Sequence, residues 1–317
     1  KAELTSGSTW HAAGLVGQLR ELRAASLTKL GREPDALQSA VPTPAGPGRL
    51  QWPNSLGSGA PVDRELTLAG DTLRTVTRDF EPVPVALGNG PEPTISLDYE
   101  FDVIIPWGQP LEPSGPAFGW PPTPEDQARQ IGIGHDGMWL FPFTKRGRWA
   151  NKGGYLCINH EFGGNTHVLG KPAPESLEDV RLSQHAHGVA VACVLEWKCK
   201  WQLVNSRRNR RIHVNTPVEV SGPVAGTEYL VNAAGNEPQG TVNNCSSGYT
   251  PWGTYLTCEE NFNGYFGYND PNFELNEKQQ RYGFSENGFG YGWHVFDERF
   301  DLSNPDYANE YNRFGWI

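Results

Sequence analysis

The residues of this chain best suited to chemistry gather in two stretches that read alike. Gly153-Gly154-Tyr155-Leu156-Cys157-Ile158-Asn159-His160-Glu161-Phe162 returns as Gly253-Thr254-Tyr255-Leu256-Thr257-Cys258-Glu259-Glu260-Asn261-Phe262, and Gly164 and Gly264 close the two copies. Between the shared apolar letters stand a thiol, carboxylates, amides and an imidazole. Side chains of a strand alternate faces. Tyr155, Cys157, Asn159 and Glu161 therefore share one face, and Tyr255, Thr257, Glu259 and Asn261 share the matching one. If the copies are equivalent strands of a repeat architecture, both faces turn to one central channel, where Cys157 and Glu259 could meet. A thiolate with carboxylates suits iron, and carboxylates with amide oxygens suit calcium.

Each of these residues also has a plainer role. A lone strand cysteine such as Cys157 packs as a small apolar side chain. Paired acids such as Glu259-Glu260 sit as solvated charges. Cys258 falls with Leu256 and reads as core. In His135-Asp136-Gly137, Asp136 is either a turn former or an oxygen ligand. His185 and His187, two apart before the apolar run Val189–Leu195, could face one site on an extended chain. They lack a third zinc ligand, and loop histidines bonded to backbone are the plainer alternative. His160 carries no assignable role. The basic run Arg207, Arg208, Arg210 and Arg211 is a solvated turn beside a strand, or a lure for an anion. Phosphate-cradling glycine loops, nucleophile elbows and paired zinc cysteines are absent from the sequence.

The elements that must carry these groups are mostly short strands. Among 317 residues there are 37 Gly and 26 Pro, and only 20% of residues are charged, which favours strands and turns over helix bundles. The 11 Trp, 11 Tyr and 14 Phe are enough to fill a core. A formal charge of -10 argues against nucleic acid as a partner. No apolar run reaches the roughly twenty residues of a membrane span. Five cysteines leave at least one thiol unpaired, with Cys193 and Cys199 able to bridge or simply to be buried.

Residues 13–31 read as an amphipathic helix and 32–61 as a Pro-rich loop. The organisation expected is thus 1–62 as helix and extended loop, and 63–317 as a strand-rich domain. Strands are expected at Leu66–Phe80, Ser96–Ile105, Met138–Phe143, Gly154–Ile158, Val189–Trp197, Trp201–Val204, Thr254–Cys258 and Gly292–Asp297. Thr123 and Ser176 read as helix N-caps, with Pro124 first in its helix. Nothing alternates strands with long helices, so a doubly wound parallel sheet is disfavoured. The fold class is all-β, a β-propeller with long loops, and a double-sheet sandwich is the competing arrangement.

Several stretches together resemble the PhoX-type alkaline phosphatases. These are Ile104-Ile105-Pro106-Trp107-Gly108, His135-Asp136-Gly137-Met138, Leu156 to Glu161, His187-Gly188-Val189, Asn209-Arg210-Arg211-Ile212, Ser221-Gly222-Pro223 and the long run Asn243 to Asn261. The similarity runs from about Asp79 to Ile317. It implies a six-bladed propeller, export by the twin-arginine route to the periplasm or beyond, and hydrolysis of small phosphomonoesters by a monomer carrying Fe3+ and Ca2+. By motif, Cys157 resembles the thiolate on ferric iron and Glu259 a metal-bridging carboxylate with Glu260 beside it. Asn159, Glu161 and Asp136 resemble calcium-side oxygens. The family's later blades bring further carboxylates and a phosphate-binding arginine, which this chain, ending at Phe314-Gly315-Trp316-Ile317 and starting without Met, is expected to lack, leaving 1–317 alone inactive. Two rivals are a calcium-bound structural or binding propeller without turnover and a calcium-dependent propeller lactonase, the latter needing no thiolate.

Overall fold

The computed structural model describes residues 43–44, 50–51, 65–68, 71–74, 93–96, 99–143 and 152–317. The chain divides into two compact units, Lys1–Phe101 and Asp102–Ile317. In the first, β1 (Thr43–Pro44) pairs with β2 (Leu50–Gln51), and β3 (Glu65–Leu68) with β4 (Asp71–Arg74), both antiparallel. The stretch read as loop thus contains one short bridged pair. The expected helix over 13–31 lies outside the described residues, as does the end of the strand expected to reach Phe80.

The second unit is built on a five-stranded antiparallel sheet. Its strands are β5 (His135–Pro142), β6 (Gly153–His160), β7 (Gly188–Trp197), β8 (Lys200–Leu203) and β9 (Arg210–Ile212). They run in the order β5-β6-β7, after which β8 pairs with the far half of β7 and β9 with its near half. The continuous apolar run of β7 is what a strand covered on both faces requires, and Gly188 to Val194 are buried throughout. Ile158, Ala190, Ala192 and Val194 pack with Ile105 and Ile131. A separate ribbon, β10 (Asn244–Tyr249) with β11 (Tyr255–Glu259), forms its own two-stranded sheet. Tyr249 stacks on Trp139 of β5 at 3.9 Å between ring centres, which seats the ribbon on the main sheet. A second core, rich in Tyr265, Phe266, Trp293, Phe300 and Phe314, lies among 3-10 turns and loops towards the C-terminal end.

Local signals place the helices. Thr123 caps α1 (Pro124–Gln127) by accepting the Asp126 N–H, and Ser176 caps α3 (Leu177–Ala186) by accepting that of Asp179. Between them, α2 (Asn165–Leu169) ends on Gly170 in the left-handed region. A full capping box joins Asn276 and Gln279 at the start of α4 (Glu277–Tyr282).

Two strand expectations are corrected. Among its described residues the stretch 96–105 forms no strand: Tyr99, Phe101 and Val103 alternate, but all three are exposed, so no buried face holds them to a sheet. Gly292–Asp297 is a 3-10 turn at Trp293–Val295, because Gly292 has φ 69° and the Asp297 N–H returns to the Trp293 carbonyl. Cys193 and Cys199 do not bridge. Cys193 is buried in β7, whereas Cys199 is exposed in the β7–β8 turn, where Lys198 and Cys199 have φ of 53° and 63°. Among the described residues the sheets close neither a barrel nor a propeller.

Candidate metal centre

Two β-bulges create the site. Along β5–β6 the pairs His135–His160 and Met138–Ile158 leave Asp136 and Gly137 opposite Asn159 alone. Along β10–β11 the pairs Asn244–Glu259 and Ser247–Thr257 leave Cys245 and Ser246 opposite Cys258 alone. A bulge re-aims the extra side chain and leaves its ladder groups open. The two bulges are sewn together by Asn159, whose Nδ2 donates to the Cys245 and Ser246 carbonyls at 2.8 and 3.2 Å. Its Oδ1 accepts from the Thr257 hydroxyl at 2.9 Å and lies 2.9 Å from the Tyr255 hydroxyl. The backbones come so close that a Cβ on Gly137 would lie 2.6 Å from the Cys245 carbonyl oxygen.

Glu161 follows β6 directly and is pinned by its N–H to the Gly134 carbonyl at 2.8 Å. Ligand atoms of Asp136, Glu161 and Cys245 then lie within 4.8 Å of one another, Asp136 exposed and the other two half-buried. Glu260, just past β11, reaches the Cys245 thiol and adds its charge to that acting on Glu161. Burial, then the charges of Asp136 and Glu260, push the Glu161 carboxyl above its ordinary range. Burial, then hydrogen bonds to Glu260 and Asp136, push the Cys245 thiol well up. Negative groups that raise one another's pKa are relieved by a cation. A thiol among hard oxygens is a donor set that fits Fe3+ on the sulfur side and Ca2+ on the carboxylate side.

The expected ligands therefore separate. Asp136, Glu161 and Glu260 come together. Cys157 does not join them: it is buried in β6 between Trp139 and Val191, and burial lifts its thiol to about 11 against the pull of Arg210. Asn159 spends its amide joining the bulges. Glu259 is engaged on all sides, with Oε1 accepting from the Thr241 hydroxyl at 2.6 Å and the Val242 N–H at 3.0 Å. Its Oε2 accepts from the Gly315 and Trp316 N–H groups at 2.7 and 3.2 Å. Four donors fill a carboxylate's acceptor sites, so in this arrangement Glu259 fastens the segment at 315–316 to β11. The two repeat faces do meet, as the alternation suggested, but through Tyr255, Thr257 and Asn159 instead of through Cys157 and Glu259.

Cys245 was not singled out from the sequence. The repeat directed attention to β6 and β11, and Cys245 sits on β10, which has no copy. The signal available was its place in the run Asn243 to Asn261.

The three histidines that the sequence left open are each held by the main chain. His185 Nδ1 bonds the Pro124 carbonyl at 2.7 Å, and His187 Nδ1 bonds the Ser183 carbonyl at 2.7 Å. His160, fully buried, accepts the Gly132 N–H on Nε2 at 3.3 Å. In the basic run, Arg207, Arg208 and Arg210 are exposed. Arg211 is half-buried and donates to the carbonyls of Gln130, His185 and His187 at 3.1, 3.0 and 2.7 Å. A groove of about 600 Å³ lies elsewhere, with Pro217, Thr227, Asn236 and Arg313 on its walls, and contains none of the expected residues.

Residues 80–317 match the family described as alkaline phosphatase PhoX. A solved structure, Pseudomonas fluorescens PhoX in complex with vanadate, a transition state analogue, is similar with 40% identity and a TM-score of 0.64. The alignment covers 70% of this chain and 39% of that one, so the present chain spans about two-fifths of its relative's length. No curated protein matches the chain.

Proposed function

The chain belongs to the alkaline phosphatase PhoX family, and from that premise we propose that it is part of a metal-dependent phosphatase releasing inorganic phosphate from small phosphomonoesters. The observation that carries this is the convergence of Asp136, Glu161 and Cys245 within 4.8 Å, with Glu260 at their side. The vanadate complex of the Pseudomonas fluorescens relative supports phosphoryl transfer as the chemistry. The rest of the family reading is proposed with it: a six-bladed propeller, Fe3+ and Ca2+, and export by the twin-arginine route to the periplasm or beyond. No helix among the described residues is long and apolar enough to cross a membrane.

Asp136, Glu161, Cys245 and Glu260 would hold the ions. Fe3+ and Ca2+, when bound, would supply positive charge against the phosphoryl oxygens, the main source of catalysis in such transfers. The chain's own contribution is to hold its donors without slack. Asn159 fixes the two bulges, and the Gly134 carbonyl fixes the main chain at Glu161. A metal held by Cys245 would take it as the thiolate, and the displaced proton would leave to solvent past the exposed Asp136, because the carboxylates are themselves needed ionised as ligands. Arg211, Arg299 and Arg313 are spent on carbonyls and on Glu310, so they are not assigned to phosphate.

Hydrolysis of p-nitrophenyl phosphate by the intact protein supplied with both metals tests this. Cys245→Ala should lower turnover by at least ~100-fold, since even groups behind a ligand cost 10–100-fold. Wild-type turnover in Cys245→Ala, or none in the metal-loaded wild type, would remove the proposal.

A further inference from the structure

We propose that Asn243 and Tyr265 are positioning residues that lock together the three segments bearing the acidic cluster; this rests on that cluster being a metal centre. Asn243 lies two residues before Cys245, is 5% exposed and has φ 50°. Lys198 and Cys199 also have positive φ, but they form a hairpin turn whose twist calls for it. Asn243 is in no such hairpin turn. A buried residue other than glycine in the left-handed region is uncommon, and asparagine tolerates it best.

That conformation lets one residue grip two other segments. The Asn243 carbonyl accepts the Glu260 N–H at 2.9 Å, and its Oδ1 accepts the Asn261 N–H at 3.0 Å. Its Nδ2 donates to the Tyr265 hydroxyl at 3.0 Å, and that hydroxyl reaches the Glu161 carbonyl at 3.4 Å. The Cys245, Glu260 and Glu161 segments thus converge on a single amide and a single phenol. Tyr265 is itself immobilised: it is 1% exposed, stacked on Tyr291 at 4.3 Å and 17°, and met edge-on by His187 at 5.3 Å. At Glu260 and Glu161 these bonds fall on main chain. None of these bonds uses the carboxylates or the Cys245 sulfur, whose spacing is set from behind.

Asparagine is required here on two counts. Aspartate would lose the donor to Tyr265 and place another negative charge behind the cluster. Glycine would accept the φ but lose both side-chain bonds.

The test is calcium titration of the intact protein by calorimetry, with urea melts of the same samples. Asn232→Ala serves as a control. Asn232 is a buried amide bonded to Glu310 at 2.6 Å, so its loss should cost stability without moving calcium affinity. Tyr265→Phe keeps the ring stack and Asn243→Gly relieves the backbone, yet each should weaken calcium about 10-fold or more. The same two variants should also speed alkylation of the Cys245 thiol in the metal-free protein. If both variants fold and bind calcium as the wild type does, positioning by Asn243 and Tyr265 is refuted while the metal centre stands. If the wild type takes up no calcium, the metal reading fails and this inference with it.

Discussion

Two acidic regions of this molecule differ in who neutralises them. Glu310 is completely buried, yet Arg299 Nε and Arg313 Nη1 each donate to it at 2.9 Å, and Asn232 adds a bond at 2.6 Å. A charge taken out of water is tolerable when it is paired and hydrogen-bonded. At Asp136, Glu161, Glu260 and Cys245, by contrast, the neighbours acting on the Cys245 thiol all raise its pKa. The chain answers negative charge with its own guanidinium groups in one place and assembles negative charge in the other. That contrast separates scaffold from site more sharply than burial does, since Glu310 is the more buried of the two regions.

The contrast breaks most visibly at Glu310. Glu310→Ala strands two arginines and should cost about 3–5 kcal/mol of folding stability, read from urea melts, with calcium uptake by the folded fraction unchanged. A loss below about 1 kcal/mol would mean that the arginines find other partners and that the pairing does not hold the scaffold.

Acid should sharpen the same division by weakening the scaffold. Complete burial lowers the His187 pKa from 6.5 to about 4, against the raising effect of its bond to the Ser183 carbonyl. The folded protein therefore binds fewer protons than the unfolded chain between those values. The contribution of His187 is whole above pH 6.5 and is lost as pH falls towards 4, at roughly 3 kcal/mol. Burial carries His213 in the same direction, to about 3. Urea melts at pH 7 and 4.5 should show the slope, and His187→Asn should flatten part of it. A slope that His187→Asn leaves untouched would assign the acid loss to other groups.

What the sequence made legible follows from how local each signal is. Thr123 and Ser176 were readable as caps because a cap is settled within three residues. β5, β6, β7, β8 and β11 were readable because alternation or a solid apolar run is internal to a strand. Tyr99, Phe101 and Val103 alternate equally well, but alternation cannot say whether a sheet waits on one side. The centre was half legible for the same reason. Asp136, Glu161 and Glu260 flank readable strands. Cys245 owes its place to a register shift against β11, and a shift of one residue belongs to the pair of strands, not to either sequence. Cys157 and Glu259 carry the right chemistry on the right strands. A neighbouring sheet and two backbone N–H groups at 315–316 determine that the one is buried and the other is engaged.

Which sulfur binds iron is the most direct question to put to this molecule. Iron content per chain, measured by elemental analysis of the intact protein, should fall to background in Cys245→Ala and stay at the wild-type level in Cys157→Ala. Iron retained in Cys245→Ala and lost in Cys157→Ala would contradict the centre built here from the two bulges.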